Sequence, residues 1–163
     1  MQIITYFYII HINKIKGIYM ETISTFLTHD HRACDEEFAS MENSVSQENW
    51  DEANEKFNKF SSDLLHHFDM EEKVMFVAFE DKTGMTQGPT MMMRMEHEQM
   101  KQILDQLKDD LVAKDKNHFF GVSESLMMLM QQHNMKEEQM LYAMADAHLA
   151  DDVANVVENM KAL

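Results

Sequence analysis

Cysteine, proline, glycine and basic residues are all scarce in this sequence, and each shortage removes a class of structure or partner. Cys34 is the only cysteine among 163 residues. No intrachain disulfide can form, and neither a thiolate zinc site nor an iron–sulfur cluster can be built. One proline and four glycines leave few points where the chain is made to turn, which predicts long, uninterrupted helices. Lys and Arg number 14 against 29 Asp and Glu, for a net charge of -15. Such a surface repels nucleic acid and anionic membranes, so neither is expected as a partner. A solvated acidic coat that keeps the chain in solution accounts for that charge. A single thiol suits a reducing compartment, so a cytoplasmic location is expected.

What is present is enough to build one core. Hydrophobic residues make up 45% of the chain, an ordinary share for a single globular domain of this length. Residues 3–12 form an apolar, aromatic-rich run that is too short to span a bilayer. It also lacks the basic stretch and cleavage site of a signal peptide. Residues 1–19 are therefore read as an N-terminal extension ahead of a natural start at Met20, with one domain over residues 20–163.

From Met20 onwards apolar residues recur at alternating steps of three and four, the spacing of a buried bundle stripe. The first stripe is Leu27, His31, Cys34, Phe38, Met41 and Val45. The second runs Trp50, Ala53, Phe57, Phe60, Leu64, His67, Glu71, Val74 and Ala78. Met93, His97, Met100, Leu104, Leu107 and Leu111 make the third. The fourth is Phe119, Val122 and Leu126, a slip at Leu129 or Met130, then His133, Glu137, Met140 and Met144. Polar links fall at residues 46–49 and 114–117. Residues 83–89 hold two glycines and the only proline, and so make the longest loop, with Pro89 in the first turn of the third helix. Residues 147–163 predict a short terminal helix through Leu149, Val153, Val156, Val157 and Met160. Short links favour antiparallel neighbours, so the expected fold is an all-α, up-down-up-down four-helix bundle with a short fifth helix.

Each stripe carries one histidine, and two carry a glutamate four residues later. A lone histidine on an apolar face is more often a satisfied core residue than a ligand. Buried glutamate is far rarer, because an unpaired carboxylate in a core is costly. His31 and His97 fall about 13 Å into their helices, and His67 and His133 come late in helices that run the other way. All four histidines therefore reach one level, with Glu71 and Glu137 a turn further on. Imidazole nitrogen with carboxylate oxygen suits iron, manganese or zinc. Six such ligands exceed what one structural zinc takes, so two ions are expected. With two histidines each, both carboxylates shared and an oxo bridge, each ion has about five ligands where iron commonly takes about six, leaving room for a small molecule.

The motifs around these positions resemble the hemerythrin-like (HHE cation-binding) family. His67-Phe68-Asp69-Met70-Glu71-Glu72 with Met75-Phe76 is similar to its second-helix element, and Glu96-His97-Glu98-Gln99-Met100 to its third. His133-Asn134-Met135-Lys136-Glu137-Glu138 with Leu141-Tyr142 is similar to the fourth, and Asp30-His31-Arg32 completes the set. The resemblance implies a metal centre of two iron ions, or iron with manganese, bridged by oxo or hydroxo. His31, His67, His97 and His133 would be its nitrogen ligands, and Glu71 and Glu137 its bridging carboxylates. Two departures shape the expectation. Oxygen-carrying hemerythrins have a second histidine four residues after the first on the third helix, where Lys101 stands here, and an aspartate where Glu138 stands. The four-histidine, two-glutamate set is closer to iron-centre repair and stress-related members, although those repair proteins usually carry an extra cysteine-bearing domain.

The leading expectation is thus a di-iron protein that binds or senses O2, NO or peroxide in oxidative or nitrosative stress or iron handling. The alternatives are a di-iron enzyme or iron donor, in peroxide or NO turnover or cluster repair, and a module whose metal is purely structural. No separate acid, base or cofactor motif points to turnover. Among lesser positions, His29 lies off the stripe, His66 reads as a surface residue or an outer partner of the ligand set, and His118 and His148 read as surface residues. Asp35 reads as either an outer partner of an imidazole or a solvated carboxylate. Glu72 and Glu138 are read as facing away or assisting from outside the ligand set. The 18 methionines read as core filler, with a sacrificial lining at Met91, Met92, Met93 and Met95 as the competing reading. Cys34 reads as a small hydrophobe, with a redox role as the competing reading.

Overall fold

A computed structural model describes residues 21–163; the apolar run at 3–12 and the proposed start at Met20 lie outside them. Helix α1 spans Ile23–Ser46. It opens on a reciprocal cap in which Thr25 Oγ1 accepts from the Thr22 amide at 2.8 Å and Thr22 Oγ1 accepts from the Thr25 amide at 3.1 Å. Two of the orphan donors of the first turn are thereby satisfied. Helix α2 covers Trp50–Met70, passes through a π-helical turn at Glu71–Met75 and continues as α3, Phe76–Thr83. Gly84 ends that rod in the left-handed region at φ 73°, and Pro89 opens α4, Pro89–Ala113. Lys114, also left-handed at φ 56°, closes α4, and the Asp115 side chain caps the next helix by accepting from the His118 amide at 3.0 Å. Helix α5, Lys116–Lys136, passes through a second π-helical turn at Glu137–Leu141 into α6, Tyr142–His148, and α7 follows at Val153–Lys161.

The fold is all-helical: four long rods joined by short links, with α7 as the expected fifth helix. The links at 47–49 and 114–115 are shorter than the sequence implies, because helix geometry persists through Ser46 and resumes at Lys116. Among the described residues no helix is long and apolar enough to cross a membrane.

The core is two apolar clusters with a polar layer between them. One gathers Phe38, Met41, Phe57, Phe60, Leu107 and Phe119 towards the 47–49 and 114–115 links. The other gathers Ile23, Leu27, Phe79, Met93 and Leu141 with Val156, Val157 and Met160 of α7. Apart from Trp50 and Val122, which are only half-buried with Ser123 buried beside the latter, the expected stripes hold up to the two glutamates and then fail by one residue. Val74 and Ala78 were expected inside, but Met75, Phe76 and Phe79 are buried instead. Met140 is 49% exposed and Met144 only partly buried, while Leu141, Tyr142 and Ala145 are buried. The π turns explain both shifts. The amide of Phe76 donates to the Glu71 carbonyl, and that of Tyr142 to the Glu137 carbonyl. Each spans five residues rather than four, so one extra residue enters the turn and the buried face advances by one.

Candidate metal centre

The layer between the two clusters contains the six side chains expected as ligands. Glu71, Glu137 and His97 are fully buried, and His67, His133 and His31 nearly so. Their donor atoms form two groups of four, each confined to 4.8 Å: His31, His67, Glu71 and Glu137, and Glu71, His97, His133 and Glu137. Both glutamates belong to both groups. Glu137 Oε2 lies 3.3 Å from His31 Nε2 and 3.2 Å from His133 Nε2, one histidine from each group. Glu71 Oε2 lies 3.6 Å from His67 Nε2 and 3.2 Å from His97 Nε2. His97 Nε2 and His133 Nε2 approach to 3.1 Å. Three buried atoms facing this layer have no hydrogen-bond partner: His67 Nε2, Glu71 Oε2 and Glu137 Oε1. Orphaned polar atoms at that depth are expensive, and a cation at their centre would satisfy all three at once.

The outer edge of each imidazole is held as firmly as the inner one. His31 Nδ1 meets Glu138 at 2.9 Å, His67 Nδ1 meets Asp30 at 2.7 Å, His97 Nδ1 meets Glu72 at 2.7 Å and His133 Nδ1 meets Glu96 at 2.9 Å. Every histidine thus pairs with a carboxylate from the preceding rod, the first pairing with the fourth, so the four contacts close a ring around the bundle. A carboxylate only accepts, which places a proton on every Nδ1 and turns every Nε2 lone pair inwards when the imidazole is neutral. Burial opposes ionisation of Asp30, but His67 outweighs it and holds that carboxyl below its ordinary range. The His97 hydrogen bond does the same for Glu72 against burial. Partial burial also opposes ionisation of Glu96, yet Lys136 and His133 hold it low.

Without a cation the layer compensates itself. Burial pushes the imidazoles of His31 and His97 down, but Glu137 and Glu71 beside the former, and Glu71 and Glu72 beside the latter, raise each to about 9. Burial likewise favours a neutral Glu137, and His133 and His31 overcome it, holding that carboxyl well below the usual range. His31 and His97 are therefore histidinium in the metal-free chain at neutral pH and offset the buried glutamate charge. Tyr142, fully buried, reaches the same layer. Its hydroxyl donates to Glu71 Oε1 at 2.6 Å and lies 3.0 Å from Glu137 Oε2 and from His31 Nε2. Burial, then the charges of Glu137 and Glu71, raise its phenol well above the ordinary value. On the other side Phe68 stacks on His97 at 3.9 Å between centroids and Phe76 at 6.0 Å.

The remaining expectations divide. His29, His66, His118 and His148 are exposed, as read from the stripes, with His118 held by Asp110 at 2.7 Å. Lys101, four residues after His97, points outwards to Glu98 at 2.7 Å. Asp35 is exposed, while Glu72 and Glu138 are outer partners of imidazoles rather than residues facing away. Asp30, Glu96 and Tyr142 carry no role in the sequence reading. Asp30 and Glu96 each directly precede a stripe histidine, about 100° round the helix and towards the neighbouring rod, and that adjacency was the available signal. Cys34 is buried, and burial reinforced by Asp30, Asp63 and Asp35 raises its thiol to about 12, which leaves a protonated, apolar side chain at neutral pH. Met93 is core, but Met91, Met92 and Met95 are 44 to 56% exposed, so packing does not account for them.

Fold and site together define a helical bundle built around a buried histidine–carboxylate centre, the architecture of a cation-binding protein. The family model of the hemerythrin HHE cation binding domain matches residues 22–145, and the chain belongs to that family. The matched span runs from the cap of α1 to the middle of α6 and contains all six inward-facing side chains. No curated protein and no solved structure is matched significantly.

Proposed function

We propose that the buried layer holds two iron ions, or iron with manganese, and that the protein binds or senses O2, NO or peroxide there. His31 and His67 would hold one ion and His97 and His133 the other, with Glu71 and Glu137 shared between them. The observation that carries this reading is the pair of overlapping four-residue groups with both glutamates in common. A single structural ion has no use for six inward donors, and a satisfied polar core would not leave three of their atoms unpartnered. Iron so held supplies a redox-active centre able to take a small ligand.

This chain's residues prepare the centre in three ways. The Nδ1–carboxylate ring fixes every imidazole in the tautomer that presents Nε2 inwards. The two apolar clusters on either side exclude bulk water and strengthen charge interactions within the layer. Lys101, turned outwards, leaves the third rod with one histidine, which supports a four-histidine set rather than the five of oxygen carriers. A cytosolic setting, with neither nucleic acid nor membrane as partner, accords with the charge of -15.

The test is metal content together with electronic spectra before and after exposure to O2 and to NO. Two irons per chain with near-ultraviolet oxo-to-iron bands, and spectra that change with either gas, are the expected result. One zinc per chain, or a centre indifferent to O2, NO and peroxide, overturns it.

A further inference from the structure

We propose that Tyr142 is a seventh protein ligand, joining His31, His67 and the two shared glutamates around one of the two ions. The proposal rests on the two-ion reading above and adds to it a residue, and an asymmetry, that the six-ligand set does not contain. Its basis is the position of the hydroxyl oxygen. Tyr142 Oη stands 2.6 Å from Glu71 Oε1, 3.0 Å from Glu137 Oε2 and 3.0 Å from His31 Nε2. Those are donor atoms of three residues of a single group. Atoms bonded to one first-row ion at about 2.1 Å lie about 3 Å from one another, so the phenol oxygen occupies the spacing of a further ligand.

Hydrogen bonding alone explains this placement less well. A phenol has one proton, so it donates to only one of these three neighbours at a time. The His31 ring is already oriented by Glu138 on Nδ1, so the neutral imidazole turns its Nε2 lone pair to the same space as the hydroxyl, and neither group then offers the other a proton that Glu71 does not already take. As a ligand the oxygen needs no proton: the O–H bond breaks, an oxygen–metal bond forms, and the proton leaves to solvent. No electron is transferred.

The backbone is shaped for this. In a regular α-helix a residue five after Glu137 would lie about 140° round the axis from it. The π turn at Glu137–Leu141 takes up the extra residue and brings Tyr142 back beneath its own glutamate. The same turn at Glu71–Met75 does this for Phe76, which offers no donor atom. His97 and His133 would therefore hold an ion with no matching phenol beside it, and that side would offer an incoming small molecule the more open position.

The experiment is resonance Raman spectroscopy of the ferric-loaded full chain. Expected are a visible phenolate-to-iron charge-transfer band and tyrosinate ring modes excited within it. Both should vanish in Tyr142→Phe, with two irons per chain and the near-ultraviolet bands retained. A second variant combining Tyr6→Phe, Tyr8→Phe and Tyr19→Phe leaves Tyr142 as the sole tyrosine, and must keep the modes. Two irons without tyrosinate modes, modes that survive Tyr142→Phe, or modes lost in the triple variant overturn the proposal while the two-ion reading stands. A chain that takes up no iron pair overturns both.

Discussion

The second and fourth rods repeat one another. Each presents a histidine, a glutamate four residues on and an outer carboxylate next to that glutamate, and each then makes a π turn. The copies diverge at the fifth residue after the glutamate, Phe76 in one and Tyr142 in the other. Phe76 stacks on His97, whereas Tyr142 places a hydroxyl among His31, Glu71 and Glu137. The backbone device and the chemistry are thus separable: the π turn delivers an aromatic ring to the layer from either side, and one oxygen atom makes the two four-residue groups unequal.

The harshest way to break the repeat is to add a further residue to one of its π turns. Inserting an alanine after Gln139 gives the turn one residue more than it takes up and should rotate Leu141, Tyr142 and Ala145 by about 100° off the core. Losing burial of the two large side chains costs about 1.5–3 kcal/mol each, and the histidine–carboxylate layer goes with them. That approaches the lower end of the 5–15 kcal/mol margin of an ordinary domain. The expected outcome is a chain with no cooperative thermal unfolding transition. Inserting an alanine after Lys73 should do the same on the second rod. An insertion variant that melts like the parent would show that the π turns carry no register.

Next in size is the loss of a glutamate common to both groups of potential ligands. Because Glu137 belongs to both groups, Glu137→Gln should lower metal content from two ions towards none, while His31→Ala should chiefly affect its own group. Removing one partner from a buried charge cluster typically costs about 3–5 kcal/mol, so metal-free Glu137→Gln should also be visibly less stable. Equal retention of metal in the two variants would contradict sharing.

A pH titration of metal-free protein asks whether the half-sites behave alike despite Tyr142. His31 and His97, one from each group, are both raised to about 9. A raised histidine stabilises the folded chain fully below its unfolded value of about 6.5, and that contribution fades as pH climbs through about 9. Because the two share carboxylates, the combined loss is less than the sum of the separate shifts, on the order of 3 kcal/mol. Melting temperature should therefore fall by roughly 6–12 °C between pH 6.5 and 10. Metal affinity runs the opposite way, rising with pH up to about 9 because binding must displace those protons. A metal-free protein whose stability rises across this window would contradict the histidinium–carboxylate layer.

How much of this could be read beforehand follows from what a periodic pattern encodes. The bundle, its fifth helix and the meeting of His31, His67, His97, His133, Glu71 and Glu137 were legible, because buried polar residues on an apolar stripe mark both face and height. Val74, Ala78, Met140 and Met144 were misplaced because a 3.6-residue period was carried through two π turns. Apolar residues on both sides of each turn, Val74 beside Met75 and Met140 beside Leu141, let either register look acceptable. Asp30 and Glu96 went unassigned for a different reason: which neighbouring rod a side chain reaches depends on rotation about the helix axis, and one-dimensional spacing does not give that.

The smallest expected effect concerns the ring of carboxylates, where the repeat can be compared pair by pair. Replacing an outer partner of a metal-ligating imidazole typically lowers metal affinity about 10–100-fold. The four partners are not equally placed. The Glu96 side chain is 14% exposed and also binds Lys136, while the Glu138 side chain is 34% exposed. Water can take over from Glu138 in orienting His31, but has far less access to the His133–Glu96 pair. Glu96→Gln should therefore fall near the upper end of that range and Glu138→Gln near or below the lower end, with both variants still folding and still binding two ions at saturating metal. Competition against a chelator of known affinity measures the difference. Equal losses would mean that solvent access to the ring does not grade its hold on the imidazoles, and that each carboxylate acts through its charge alone.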